Sequence, residues 1–365
     1  MKIEEVTSYL ESIAPLDYQE SYDNAGLIAG DSQGEVSNIL ISLDCTEAVV
    51  NEAVKKKCNL IISHHPPIFP TIKKISTTHA IGRTLISAIR NGISIYAIHT
   101  NLDNVFEGVN HQLATLLGLS NLKILAPMNN KLSKLVTFIP GKNSLQVMKA
   151  LWTAGAGNIG NYSQCSFQTD GTGTFIPNAD ANPHIGKSGK ISTVKEKRVE
   201  VIFPSVNTNK ILDALHKSHP YEEVAYYLSD LSNPFQSAGA GMIGNLSESL
   251  AIPEFLERVK SKLEVKCIRY SGKTEGTVKR IAVCGGAGSF LLPHAIKSKA
   301  DVFITADIKY HTFFETENKL LLLDVGHWES EVGTKNLILR LIQKKFHNLA
   351  AFLADSDSNP VNYYC

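Results

Sequence analysis

The chain of 365 residues has no CxxC pair, no surplus of charge of either sign and no P-loop. No apolar run approaches the ~20 residues that a membrane-spanning helix needs. Each absence excludes something. A net charge of +1 gives no electrostatic case for a nucleic-acid or membrane-surface partner. Six cysteines without paired spacing read as reduced thiols of a cytoplasmic protein, most of them packing residues. The opening "MKIEEVTSYLESIAPL" places Ile3, Val6, Leu10 and Ile13 at helical spacing, so an amphipathic helix is expected there rather than a signal peptide. What is present is ordinary for a folded protein, with 43% hydrophobic and 19% charged residues, in a length that predicts two or three domains.

An internal repeat organises the chain. "NILISLDCTEAVVNEAVKKKCNLIISHH" (38–65) aligns without a gap on "RIAVCGGAGSFLLPHAIKSKADVFITAD" (280–307) at a constant offset of 242. Each copy reads as strand, loop, helix, strand, the pattern of a parallel or mixed sheet covered on both faces. "ISIYAIHTNLD" (93–103) lies opposite "LLLLDVGHWESE" (320–331) at an offset of 228, so His99 matches His327 and Asp103 matches Glu331. These two matches in the same order predict a duplicated α/β unit. Residues 129–233 change texture to β-α-β-β-α-β, the order of a ferredoxin-like α+β unit inserted between the halves. The expected division is therefore 1–128, 129–233 and 234–365. The stretch "TDGTGTFIPNADANPHIGKSGK" within the insert reads as a long, polar, Gly-rich loop.

Chemistry gathers at strand ends. His64 and His65 follow the apolar "LIIS" and precede Pro66 and Pro67, which end the ladder and stiffen the exit. "HTNLDN" supplies His99 and Asp103, and "GHWESE" supplies His327 and Glu331, one helical turn apart on one face. Three imidazoles (His64, His65, His327) and two carboxylates (Asp103, Glu331) then converge where open α/β sheets bind ligands. Mixed imidazole and carboxylate donors suit zinc first, with manganese, iron, cobalt or nickel as alternatives. Five donors exceed what one tetrahedral ion needs and suit two divalent ions with a carboxylate between them. Asp307 and His311 of "TADIKYH", with His99, are candidates for proton transfer or for supporting the ligands; a helix cap is the structural alternative for Asp307, and a hydrogen-bonded core histidine for His99. "VCGGAGS" (283–289) is a weaker candidate, a Gly-rich turn that could cradle an anion.

Taken together, "DNAGL", "SHHP", "HTNLD", "TADIKYH" and "GHWESE" resemble the dinuclear-metal-centre proteins known as GTP cyclohydrolase I type 2 homologues, the NIF-three-like family. "HPYEEVAYYL" in the insert is similar to the CutA- and PII-like domain of the longer bacterial members. The resemblance implies a toroidal homohexamer with metal sites facing an internal cavity. By motif, the ligands are His64, His65, Asp103, His327 and Glu331. Tyr22 stands where tryptophan is common, Ala306 replaces a glycine, and Glu329 adds an acid that leaves open which glutamate binds. The family name implies metal-activated water attacking a nucleotide, with guanine of GTP opened at C8 and formate lost. A phosphoesterase acting on a phosphorylated small molecule, or a metal-binding regulator or scaffold without turnover, would fit the same residues.

Overall fold

The computed structural model describes residues 1–69 and 72–364. It divides into two compact units, one formed by Met1–Pro127 with Gln236 to the C-terminus, the other by Met128–Phe235.

The first unit holds two sheets built to one plan. In the N-terminal half, strands run in the order Gly26–Ala29, Ser94–Ala97, Leu60–Ser63, Ile39–Ser42, Ala351–Leu353. The last four are parallel, and Gly26–Ala29 closes the edge antiparallel to Ser94–Ala97. In the C-terminal half the order is Arg269–Gly272, Leu321–Asp324, Val302–Thr305, Thr277–Val283, then Phe235–Ala251 and Ser120–Met128. Again three strands are parallel behind an antiparallel edge. All residues of Ile39–Ser42, Leu60–Ser63, Ser94–Ala97, Val302–Thr305 and Leu321–Asp324 are buried, as strands covered on both faces must be.

The repeat extends to backbone detail. Helix Glu47–Lys55 starts at Thr46, whose hydroxyl accepts from Val49 N–H. Both copies of the helix end on a lysine in the left-handed region, Lys57 at φ 55° and Lys299 at φ 54°. After each, an amide reaches back over the turn, Cys58 to Ala53 O at 2.8 Å and Ala300 to Ala295 O at 3.0 Å. This is the closing pattern usually given to glycine. The second pair of matched segments slips by one residue, because Leu321–Asp324 is followed by Gly326 at φ 89° before the helix His327–Glu331 begins.

The second unit runs strand Leu132–Pro140, helix Ser144–Thr153, strands Phe167–Phe175 and Ser192–Pro204, helix Thr208–Ser218, strand Tyr226–Leu231. Its antiparallel sheet has the order Phe167–Phe175, Ser192–Pro204, Leu132–Pro140, Tyr226–Leu231. Leu135, Ile139, Val199, Val201 and Phe203 bury one sheet face with Leu151, Ile211 and Leu215 of the helices. The expected long loop is only half a loop: "FQTDGTGTF" is the strand Phe167–Phe175. Its glycines pair with the neighbouring strand through their backbone, which needs no side chain.

No helix among the described residues is long and apolar enough to cross a membrane. Cys45, Cys58, Cys165, Cys267 and Cys284 are free thiols, and Cys365 lies outside the described residues.

Candidate metal centre

The parallel ladder continues past Ser63: His64 N–H donates to Ser42 O at 3.2 Å and His65 N–H to Leu43 O at 2.9 Å. Two histidines are thereby held on extended backbone at a strand end. Their rings stand 5.0 Å apart, tilted by 41°. Ring nitrogens of both histidines, with one of His99, lie within 4.8 Å of one another.

Every imidazole at the site has its Nδ1 anchored to an oxygen. His64 Nδ1 meets Ile98 O at 2.8 Å, His65 Nδ1 meets Asp44 Oδ1 at 2.7 Å, His99 Nδ1 meets Asp23 Oδ1 at 2.7 Å, and His327 Nδ1 meets Asp307 Oδ2 at 2.6 Å. A carbonyl or carboxylate partner accepts a hydrogen bond from Nδ1–H and leaves the Nε2 lone pair for a metal, the arrangement typical of metal-bound histidine.

Glu331 stands at the centre, 3% exposed. Its Oε2 lies 3.0 Å from Nε2 of both His65 and His327. Its Oε1 lies 3.9 Å from His64 Nε2, which in turn is 3.6 Å from Asp103 Oδ1. Two triads share this carboxylate, His65–His327–Glu331 and His64–Asp103–Glu331, each with donor atoms within 4.8 Å. His64 Nε2 and Asp103 Oδ1 are buried with no hydrogen-bond partner. A buried lone pair facing a buried carboxylate oxygen is costly unless a cation joins them. The donor set therefore fits a divalent metal ion held among these side chains.

Charges follow the same geometry. Burial pulls His65 and His327 down, but the bonds to Asp44 and Glu331 lift His65 to about 10, and those to Glu331 and Asp307 lift His327 to about 9. Burial pushes Asp103 up to about 7 against the pull of His64. Burial pushes Glu331 up too, yet the imidazoles around it hold it well below the usual carboxylate range. Asp23 is likewise pushed up by burial but drawn down to about 2 by His99 and Thr100.

The remaining candidates separate cleanly. Glu329 turns away, lining a different cavity with Ser330 and Gly333, so the helical turn selects Glu331. Asp307, in the left-handed region at φ 53°, reaches the site only through His327. His311 lies outside the lining, exposed on the turn Tyr310–Thr316 with its ring beside Tyr310 and Phe314. In the Gly-rich turn, the amides of Gly285, Gly286 and Gly288 already donate to Asn110, Ser330 and Thr305 and are not free for an anion. The turn serves Glu331 instead. A Cβ on Gly286 would come within 2.3 Å of Glu331 Oε1. Asp23 and Asp44 are sites that sequence reasoning missed. Asp23 sits inside "DNAGL", and Asp44 precedes a capping threonine, where an acid looks like part of a helix start.

The cavity, about 340 Å³, has Tyr22, Phe69 and Phe290 at its walls. These three rings are 60%, 50% and 57% exposed. Tyr22 and Phe69 stand 6.1 Å apart, and Phe69 lies 5.8 Å from His99. No lysine or arginine among the described residues lines it.

Comparison with known proteins agrees with this architecture. The family model of Duf34/NIF3 (NGG1p interacting factor 3) matches residues 1–360. The GTP cyclohydrolase 1 type 2 homolog of Bacillus subtilis is 36% identical over 365 residues, covering 99% of this chain and 98% of the relative. That of Halalkalibacterium halodurans is 38% identical over 363 residues, covering 98% of each. A crystal structure of a Bacillus cereus protein related to NIF3 superposes with a TM-score of 0.88 at 37% identity, covering 100% of this chain and 99% of that one. With duplicated sheets, the shared glutamate and full-length matches all in place, the chain belongs to the DUF34/NIF3 family.

Proposed function

We propose that this protein is a hydrolase dependent on two divalent metal ions, acting on a planar heterocyclic substrate. The observation that carries the reading is Glu331, flanked on one oxygen by His65 and His327 and on the other by the partnerless pair His64 and Asp103. Zinc is the first candidate, held by these five residues, and two such ions supply a water molecule of lowered pKa. Five protein donors spread over two ions leave coordination positions open, which suits turnover better than a purely structural site.

The chain's own residues divide the remaining work. His99 Nδ1–H donates to Asp23, whose carboxylate is ionised across the physiological range, so Nε2 faces the cavity as a proton acceptor. Asp44 and Asp307 fix the rings of His65 and His327. Tyr22, Phe69 and Phe290 offer flat apolar surfaces on which a heterocycle can stack. The purine of a nucleotide meets that requirement, and the relatives' shared name points the same way. The lining offers a triphosphate tail no lysine or arginine among the described residues. Assembly into the homohexamer implied by the family resemblance is part of this proposal and is read by light scattering.

The test is metal content per chain by elemental analysis, then turnover of guanosine, GMP, GTP and p-nitrophenyl phosphate with and without that metal. Two ions per chain and metal-dependent opening of a guanine ring support the reading. Turnover of p-nitrophenyl phosphate alone replaces it with a phosphoesterase. Two ions with no turnover replace it with a metal-binding regulator.

A further inference from the structure

A second cavity shares no lining residue with the candidate metal centre. It lies within the unit Met128–Phe235 and measures about 740 Å³, within the range of small-molecule sites. Its floor is the sheet face opposite the helices. Side chains alternate across a strand, so while Leu135, Ile139, Val199 and Val201 face the helices, Phe138, Glu196 and Arg198 face the other way. The segment from Ile176 to Ile185 lines one wall. That segment is closed on itself by Gly189 N–H donating to Pro177 O at 2.9 Å and Ser188 Oγ to Asn178 O at 2.9 Å, and is tied across the cavity by Asn182 N–H donating to Glu222 Oε1 at 2.8 Å.

The chemistry inside is aromatic and acidic. Phe138 and Tyr227 stand 5.6 Å apart, and Phe175 and Tyr221 stand 6.2 Å apart. Of the charged lining residues, Asp170 pairs with Lys197 at 3.0 Å, and Arg198, half-exposed, shares Glu200 with Lys134 at 2.9 Å and 3.2 Å. Glu196, Glu222 and Glu223 have no ion pair among the described residues. The Glu196 carboxylate accepts from the Tyr221 hydroxyl at 2.8 Å. It lies against Gly173, where a Cβ would sit 2.2 Å from Glu196 Oε2, so the glycine keeps room for it. A bare metal ion is a poor occupant. Each group of three histidine, cysteine or acidic side chains close enough to hold one, among the described residues, lies at the metal centre and not here.

We propose that this cavity binds an organic cation, an amine or quaternary ammonium compound with an apolar or aromatic body. Its charge rests at Glu196 and its body against Tyr221, Tyr227 and Phe138. Aromatic faces attract cations through their quadrupole, and unpaired carboxylates add a full charge, whereas both repel an anion. The site is separate from the metals, so the proposal stands or falls independently of the hydrolase reading.

The experiment uses the full chain with its metal content unaltered and three probes that share one ring: benzyltrimethylammonium, benzyl alcohol and phenylacetate. Saturation-transfer NMR and calorimetry read binding. The ammonium is expected to saturate a site roughly tenfold tighter than the alcohol, with no binding of phenylacetate. Glu196→Gln, which keeps the shape, is expected to cost most of that tenfold preference while the melting curve stays put. Tyr227→Ala, on an exposed ring, should weaken the ammonium and the alcohol together. Phenylacetate binding as tightly as the ammonium, no ammonium binding, or an unchanged preference in Glu196→Gln would each overturn the proposal. So would magnesium or calcium ions that displace the ammonium at equal concentration.

Discussion

The Asp44 carboxylate meets His65 Nδ1 at 2.7 Å and so decides which nitrogen of that ring faces Glu331. Asp44 is itself held by Ser358, whose hydroxyl donates to its other oxygen at 2.6 Å. Loss of such a partner typically costs ten- to a hundredfold in metal affinity. Asp44→Asn is therefore expected to bind metal about tenfold or more weakly, with an unchanged circular dichroism spectrum. Competition against a coloured chelator measures it.

Removal of a donor should do more. His65→Ala and Glu331→Ala are each expected to lose metal without unfolding the α/β sheets, because the strands that carry the core are buried independently of these side chains. Elemental analysis after gel filtration reads the outcome. Two ions per chain in both variants would show that the site is assigned to the wrong residues.

Gly286→Ala tests the cradle. The added methyl would stand 2.3 Å from Glu331 Oε1 at a backbone φ of 59°. Glu331 must then move, and metal content is expected to fall as in Glu331→Ala, although no donor atom has been deleted. Retained metal in Gly286→Ala would mean that the shared carboxylate is not fixed by this turn.

The metal-free protein, prepared with a chelator, carries a pH signature. His65 at about 10 and His327 at about 9 are raised above the ordinary imidazole value near ~6.5. A raised folded-state pKa contributes stability in full below that ordinary value and loses it as pH climbs through the folded value. The urea midpoint of the metal-free chain is thus expected to fall between about pH 7 and 10. Metal must displace those protons, so calorimetry at pH 7 in two buffers of different ionisation enthalpy should show proton release.

Lys57 and Lys299 offer a stabilising change away from the site. Each sits in left-handed backbone at the end of the repeated helix. Glycine there relieves a cost of about 1 kcal/mol, partly offset by the freedom it gives the unfolded chain. Lys57→Gly is expected to raise the denaturation midpoint slightly, with metal content unchanged.

Much of this architecture is legible in the sequence because it rests on local patterns. β-Branched runs mark buried strands, and the 242-residue offset aligns Ile39 with Ile281 down to the matched left-handed lysines. The histidines and acids that the structure gathers around Glu331 stood out because each follows a strand. Asp23 and Asp44 did not, because a carboxylate that supports an imidazole through space leaves no spacing signal; His65 and Asp44 are 21 residues apart. Gly286 was legible as a special turn but not for its purpose, since the side chain it makes room for lies 45 residues further on. His311 shows the converse: a histidine near the motif in sequence, carried to an exposed turn by seven residues of tight helix.

Strands Ser120–Met128 and Phe235–Ala251 are neighbours in the second sheet, and the central unit departs from the end of one and returns at the start of the other. The chain thus has a docking port in its own backbone. A short turn could bridge the same two strands as a hairpin, and a whole folded module can be spliced there because its ends need only meet. A change in what is plugged into that port leaves the pairing of the two strands, and with it the sheet behind the candidate metal centre, in place.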